Sequence, residues 1–144
     1  CMLLNIARDI HPEIRRIHTI EKIFYYPFSL ITRDQRLKLS LLMYFRHSNG
    51  LKDAVAKEMA KKLKNEEVQE LLFFGQCLRL CYHITAGISD KNLNYCFLKK
   101  NGLRLELIVT KKKYLFAGDS INRGLKNVAQ SIGLKRSKII FQNL

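Results

Sequence analysis

The sequence lacks the short motifs that mark most catalytic, metal and phosphate sites. It contains no CxxC pair, no His-Asp dipeptide, no GxSxG and no Gly-rich phosphate loop. No apolar run approaches the roughly 20 residues that a bilayer-spanning helix needs. The sequence therefore identifies no catalytic residue and no metal ligand, and it predicts no association with a membrane.

Acidic residues are scarce, and their scarcity is uneven. Twenty-six Lys/Arg face 12 Asp/Glu, for a net charge of +14. Residues 1–72 account for +4, whereas residues 73–144 hold 13 Lys/Arg against three Asp/Glu, or +10. Such an excess attracts polyanions, although solvated surface lysines explain it equally well.

Three of the four cysteines lie among apolar residues. Cys77, Cys81 and Cys96 have no local partner at a spacing typical of a structural zinc site. This setting indicates reduced thiols within the core of a cytoplasmic protein.

Helical periodicity dominates the first two-thirds of the chain. Pro12 marks a predicted helix start, and Thr32 with Gln35 forms a capping box for a second helix. A further helix, predicted to be capped by Asn65, is apolar over so much of its surface that we expect it to be central.

The last third changes to a strand period. Asn101-Gly102 predicts a type I′ turn that pairs Lys100 with Leu103 and Leu98 with Leu105. In this register Leu103 shares an apolar face with Cys96, Leu98, Leu105 and Leu107. A helix and a final strand follow, so the sequence predicts a mainly α protein whose helical part precedes a small ββαβ part. The helix is predicted to end at Gly133 and to turn four apolar residues inward, namely Ile121, Leu125, Val128 and Ile132. The division is placed near residues 88–93.

Several cations are candidates for anion binding. They lie at predicted helix ends or in basic runs, and they are Arg46, His47, Lys111, Lys112, Lys113, Lys135 and Arg136. Arg79 differs because it stands between Leu78 and Leu80 on the most apolar helix. A buried arginine needs a carboxylate or carbonyl partner, so we interpret Arg79 as a structural buried charge.

Four ordered segments resemble the C-terminal region of the exopolyphosphatase/guanosine pentaphosphate phosphohydrolase family. Residues 11–15 (HPEIR) resemble its His-Pro-Asp-Tyr-Arg element, and residues 41–47 resemble its helix ending in Tyr-x-Arg-His. The segment 74–87 is similar to its Gly-x-Ala-Leu-Arg-Leu-Ala-Tyr-x-Ile-Ser-Gly-Gly, and 121–129 resembles its last helix. Asn5, however, stands where many members have Asp.

The resemblance implies an architecture and a function. It implies an HD-like helical domain over 1–90, incomplete at its N-terminus, and a small α+β domain over 91–144. Family members carry catalytic domains of the actin-like ATPase fold upstream, where magnesium is bound. We therefore expect an accessory portion that forms a homodimer, binds polyphosphate or guanosine pentaphosphate, holds no cofactor and is inactive by itself.

Two readings from other classes stay open. The charge alone fits a stand-alone basic nucleic-acid-binding module, and the helical content fits a purely structural dimerisation domain. Aromatic residues are not interleaved with the basic runs as a stacking platform for bases requires.

Overall fold

The chain forms two compact units. The computed structural model describes residues 6, 7, 9–85, 95–110 and 118–142. Unit 1 is Cys1–Gly75 and unit 2 is Gln76–Leu144. These two units do not test the predicted division near residues 88–93 into an HD-like domain and an α+β domain, which stays a prediction.

Helices make up the described part of unit 1. Helix α1 spans Arg15–Phe24, α2 Arg33–His47 and α3 Ala54–Ala60, and α4 (Asn65–Thr85) begins in this unit. Apolar side chains from all four helices form one core, which consists of Ile20, Leu37, Leu41, Tyr44, Phe45, Ala56, Met59, Ala60 and Val68. Helical spacing of these residues on each helix is what allows one shared core.

Helix α2 has the start that the sequence predicts. The Thr32 side chain accepts a hydrogen bond from the Gln35 N–H (3.2 Å), and the Thr32 N–H donates to Gln35 Oε1 (2.8 Å). This reciprocal pair satisfies two backbone donors that the first turn leaves without helical partners. The capping box is confirmed.

Two predicted helix starts are displaced. Residues 12–14 form a turn, in which the His11 carbonyl accepts from Ile14 and Arg15, and α1 begins only afterwards. Asn65 is the first residue of α4 and not its cap. The Lys64 N–H before it donates instead to Glu67 Oε2 (3.0 Å), so a glutamate one turn along caps the helix end.

A buried tyrosine ties α2 to the start of α3. Tyr44 has no exposed surface, and its hydroxyl donates to Asp53 Oδ2 at 2.8 Å and accepts from the Lys52 N–H at 2.9 Å. Arg16 on α1 completes the group by donating to both carboxylate oxygens of Asp53, at 2.7 and 3.2 Å. Hydrogen bonding from Arg16 holds the pKa of Asp53 below its ordinary value, although partial burial opposes the shift.

Helix α4 passes very close to α2 within unit 1. A Cβ at Gly75 would lie 2.6 Å from Phe45 Cβ, 2.8 Å from the Leu42 carbonyl oxygen and 2.9 Å from the Arg46 nitrogen. Two of these atoms are backbone and cannot move aside cheaply. Glycine is therefore required for the two helices to approach this closely.

Unit 2 contains a three-stranded sheet. Strands β1 (Cys96–Asn101) and β2 (Arg104–Val109) pair antiparallel, and β3 (Arg136–Phe141) pairs parallel to β2 after helix α5 (Asp119–Ser131). The order is β1-β2-β3, which places β2 in the centre. Residues 105–109 of β2 are all buried, in keeping with the central position of this strand in the sheet.

Helix α5 buries the face that its periodicity predicts. Ile121, Leu125 and Val128 are each at most 3% exposed. Ile132 was predicted inward but is 40% exposed, because it follows the last helical residue as the C-cap. Gly133 comes next with φ +74°, a conformation in which a glycine ends a helix without steric cost.

The hairpin register differs from the prediction by two residues. Asn101 pairs with Arg104, Lys100 with Leu105 and Leu98 with Leu107, so the turn residues are Gly102 and Leu103. Only Gly102 has a positive φ (+56°), which fits a type II′ turn and excludes type I′. Leu103, predicted to share the apolar face, is 81% exposed in the turn.

Cross-strand pairing explains the register that forms. The observed pairs place Lys99 opposite Glu106 and Phe97 opposite Ile108. The predicted register would have set Lys99 against Arg104 and Phe97 against Glu106, and like charges in direct pairs are unfavourable. A shift of two residues keeps every other side chain on its predicted face. The broader prediction, a mainly helical chain with a small sheet, is confirmed.

Candidate anion-binding site

Six ion pairs join described residues of unit 1. All six join residues between Asp9 and Glu67. The described part of unit 2 carries two acids, Glu106 and Asp119, and neither takes part in an ion pair. Its cations are Arg79, Lys99, Lys100, Arg104, Arg123, Lys126, Lys135, Arg136 and Lys138. Unit 2 therefore presents positive charge that its own described carboxylates do not neutralise.

Two arginines lie side by side at one end of the sheet. Arg104 begins β2 and Arg136 begins β3, and the two are direct partners in the parallel register. Neither guanidinium makes an ion pair or a hydrogen bond with another residue in the described ranges. Like charges in directly paired positions are unfavourable in a sheet, so this arrangement is expected to have a cost.

A buried glutamate lies next to this pair. Glu106 is two residues after Arg104, so both side chains project from the same face of β2. It is 5% exposed, and Asn101 Nδ2 donates a hydrogen bond to its Oε1 at 3.3 Å. The directly registered neighbours of Glu106 are Lys99 on β1 and Lys138 on β3.

These side chains line an open cleft. Its volume is about 350 Å³, and its lining residues are Asn101, Leu103, Arg104, Glu106 and Arg136. Burial decreases outward, from Glu106 through the partly buried Arg104 to the exposed Arg136 at the rim. The arrangement combines two guanidinium groups with one carboxylate acceptor.

A second pair of arginines occurs on helices of unit 2. Arg79 on α4 is partly buried, and burial lowers its pKa, with the nearby positive charge of Arg123 on α5 adding to the effect. The carboxylate or carbonyl partner expected for Arg79 is not found among the residues described. Its role as a paired structural charge stays a prediction.

Arg46 and His47 lie at the last turn of α2, in unit 1. Arg46 is 6% exposed, and its Nη1 is 3.4 Å from His47 Nε2. Cations at this position complement the negative end of the helix dipole. Their predicted contact with a substrate is not tested by this placement.

The remaining candidates divide between the described and undescribed parts of the chain. Lys135 is exposed immediately before β3, beside Arg136. Lys111, Lys112 and Lys113 lie outside the described residues. The structure thus brings Lys135 and Arg136 together and adds Arg104, Glu106 and Asn101, which sequence analysis missed. The sequence did contain one indication, because Arg104 and Glu106 are two residues apart on a predicted strand and therefore share a face.

The described residues also bear on metal binding, on the ionisation of the cysteines and on membrane-spanning helices. No group of three or more His, Cys, Asp or Glu there could hold a metal ion. Burial raises the pKa of Cys77 to about 11, and it also raises those of Cys81 and Cys96, so these thiols are protonated at neutral pH. No helix of the described chain is long and apolar enough to cross a membrane.

Fold and site together describe a mainly helical protein with a small sheet and a basic second unit. A family model described as "Exopolyphosphatase, C-terminal" matches residues 1–140. The chain therefore belongs to the exopolyphosphatase C-terminal family, as the four ordered sequence segments predicted. No curated protein matches the chain.

Proposed function

We propose that the chain is the accessory C-terminal portion of an exopolyphosphatase or a guanosine pentaphosphate phosphohydrolase, and that it binds the polyanionic substrate. The observation that carries this is the charge of unit 2. Its cations make no ion pair among the described residues, while those of unit 1 repeatedly do. A surface with unneutralised cations attracts a chain of phosphates and speeds its encounter.

Catalysis, on this proposal, takes place in upstream domains of the same product. Those domains hold the magnesium and the carboxylate that activates water, and the present chain contributes substrate binding and homodimer formation. We assign no catalytic step to the present chain. HD-like helices over 1–90 and an α+β domain over 91–144 are part of the same proposal.

The test is a titration of the 144-residue chain with long-chain polyphosphate and with single-stranded RNA, each at two salt concentrations. Electrostatic binding weakens as salt rises, because bound counterions are released from the polyanion. We expect polyphosphate to bind with that dependence and RNA to bind without preference for sequence. Tight binding of one RNA sequence would favour the nucleic-acid module instead, and binding of neither polyanion would favour the dimerisation domain.

A turnover assay tests the division of labour. We expect the chain to release no phosphate from polyphosphate or guanosine pentaphosphate in the presence of magnesium. Magnesium-dependent release that increases with the concentration of purified chain would contradict the assignment of catalysis to upstream domains.

A further inference from the structure

We propose that the cleft at the start of β2 and β3 is a discrete site for a phosphate monoester whose organic part carries hydrogen-bond donors, such as a sugar phosphate or a nucleotide. This inference does not depend on polyphosphate binding. It rests on Arg104, Arg136, Glu106 and Asn101, which line one cleft.

The arginine pair favours binding of an anion. Backbone pairing holds the Cα atoms of Arg104 and Arg136 in direct register, so both side chains start from neighbouring positions at the same end of the sheet. No carboxylate among the described residues makes an ion pair with either. Guanidinium forks match the oxygens of a phosphoryl group in geometry and charge, and a phosphoryl group between them relieves their mutual repulsion.

The glutamate restricts which anions fit. A carboxylate only accepts hydrogen bonds, and it repels an anion that offers no donor. Asn101 Nδ2 donates a hydrogen bond to Oε1 of Glu106, while Oε2 makes no hydrogen bond within the described residues. A ligand that sets a phosphoryl group on the arginines and a hydroxyl or amino group on Oε2 satisfies both ends of the cleft.

The size of the cleft agrees with a small ligand. Pockets for small molecules measure about 300–1,000 Å³, and this cleft of about 350 Å³ lies at the lower end of that range. A sugar phosphate, or part of a nucleotide, is of suitable size. Glu106 at the buried end and Arg136 at the rim give the ligand a direction, with its donor group inward.

The experiment is calorimetric titration of the full chain with ribose 5-phosphate, methyl phosphate and ribose. Ribose 5-phosphate has both groups, methyl phosphate lacks the donors and ribose lacks the phosphoryl group. We expect ribose 5-phosphate to bind about tenfold more tightly than methyl phosphate, since hydrogen bonds to a charged acceptor are worth that much. Ribose should show no binding.

Substitutions test the two ends of the cleft separately. Arg136→Ala should weaken ribose 5-phosphate by about tenfold or more, and Arg136→Lys should recover only part of the loss, because lysine lacks the fork. Glu106→Gln should remove the preference for ribose 5-phosphate over methyl phosphate. Lys126→Ala removes one charge from an exposed position of α5 and is the control.

The outcomes separate this site from general polyanion binding. The proposal is overturned if ribose 5-phosphate does not bind, or if Arg136→Ala and Lys126→Ala weaken it equally. Long-chain polyphosphate titrated in parallel keeps the two proposals apart. If ribose 5-phosphate binds and polyphosphate does not, the proposal for the cleft is supported and the proposed function is contradicted. If polyphosphate binds and ribose 5-phosphate does not, the proposed function is supported and the proposal for the cleft is overturned.

Discussion

Charge is used differently in the two units. In unit 1, Arg16 forms a two-pronged ion pair with Asp53, and Lys38 contacts both Asp34 and Glu67. In the described part of unit 2, nine Lys/Arg share two acids without forming any ion pair. Four cations of unit 1 therefore take part in ion pairs, whereas the described lysines and arginines of unit 2 make none.

This difference predicts that substitutions in unit 1 mainly affect stability and that substitutions in unit 2 mainly affect anion binding. Substitutions that disturb the packing or ion pairs of unit 1 should lower the free energy of unfolding. Substitutions of exposed lysines in unit 2 should leave that free energy nearly unchanged and weaken anion binding.

Gly75→Ala should cost the most. Its new Cβ would meet Phe45 Cβ and two backbone atoms of α2 at 2.6–2.9 Å. Forced overpacking of this kind costs about 3 kcal/mol, because backbone has to move. Urea unfolding measures the loss. Gly50→Ala is the matched control, since nothing lies within 4 Å of its new Cβ, and equal stabilities of the two variants would contradict the close helix crossing.

Asp53→Asn should cost about 2 kcal/mol at pH 7, because hydrogen bonds from Arg16 and the buried Tyr44 lose their charged acceptor. The pKa of folded Asp53 is lowered, so its contribution is full above the unfolded value of about 3.9 and is lost as pH falls through the lower folded value. The wild type and the variant should therefore converge in acid.

Unfolding followed from pH 7 down to pH 2 measures this convergence. Asp34→Asn, at a side chain 64% exposed, is the control and should cost no more than about 0.5 kcal/mol. A difference between Asp53→Asn and wild type that stays constant with pH would show that the ionised carboxylate is not what stabilises unit 1.

Gly124→Ala tests how tightly helix α5 is packed in unit 2. Its new Cβ would lie 3.2 Å from Leu80 Cδ1, the movable end of a side chain. Alanine also favours helix over glycine by up to about 1 kcal/mol, so the net change in stability should stay within about 1 kcal/mol. A loss as large as that of Gly75→Ala in urea unfolding would mean that α5 packs as tightly on Leu80 as α4 does on α2.

Local features of the fold were predictable from the sequence. The Thr32–Gln35 capping box and the helix stop at Gly133 depend on residues only a few positions apart, and both occur where predicted. The predicted hairpin register is wrong because it rests only on the turn type that Asn101-Gly102 favours. Cross-strand pairs such as Lys99 with Glu106 favour a different register.

The candidate site depends on contacts between distant parts of the sequence. Basic runs identified Lys135 and Arg136, but nothing in the sequence placed Arg136 beside Arg104. That neighbourhood arises from parallel pairing of β2 with β3 across an intervening helix. Burial of Glu106 was equally hidden, since only a central strand buries both of its faces.

The most direct test compares two triple variants that remove the same charge from different units. Lys100→Ala/Lys135→Ala/Lys138→Ala changes exposed lysines of unit 2, and Lys57→Ala/Lys62→Ala/Lys64→Ala changes exposed lysines of unit 1. Both variants should unfold within about 0.5 kcal/mol per substitution of wild type. Long-chain polyphosphate should bind the unit 2 variant about tenfold or more weakly and the unit 1 variant nearly as wild type. Equal loss of polyphosphate affinity in the two variants would contradict the account, because only the net charge of the chain would then matter.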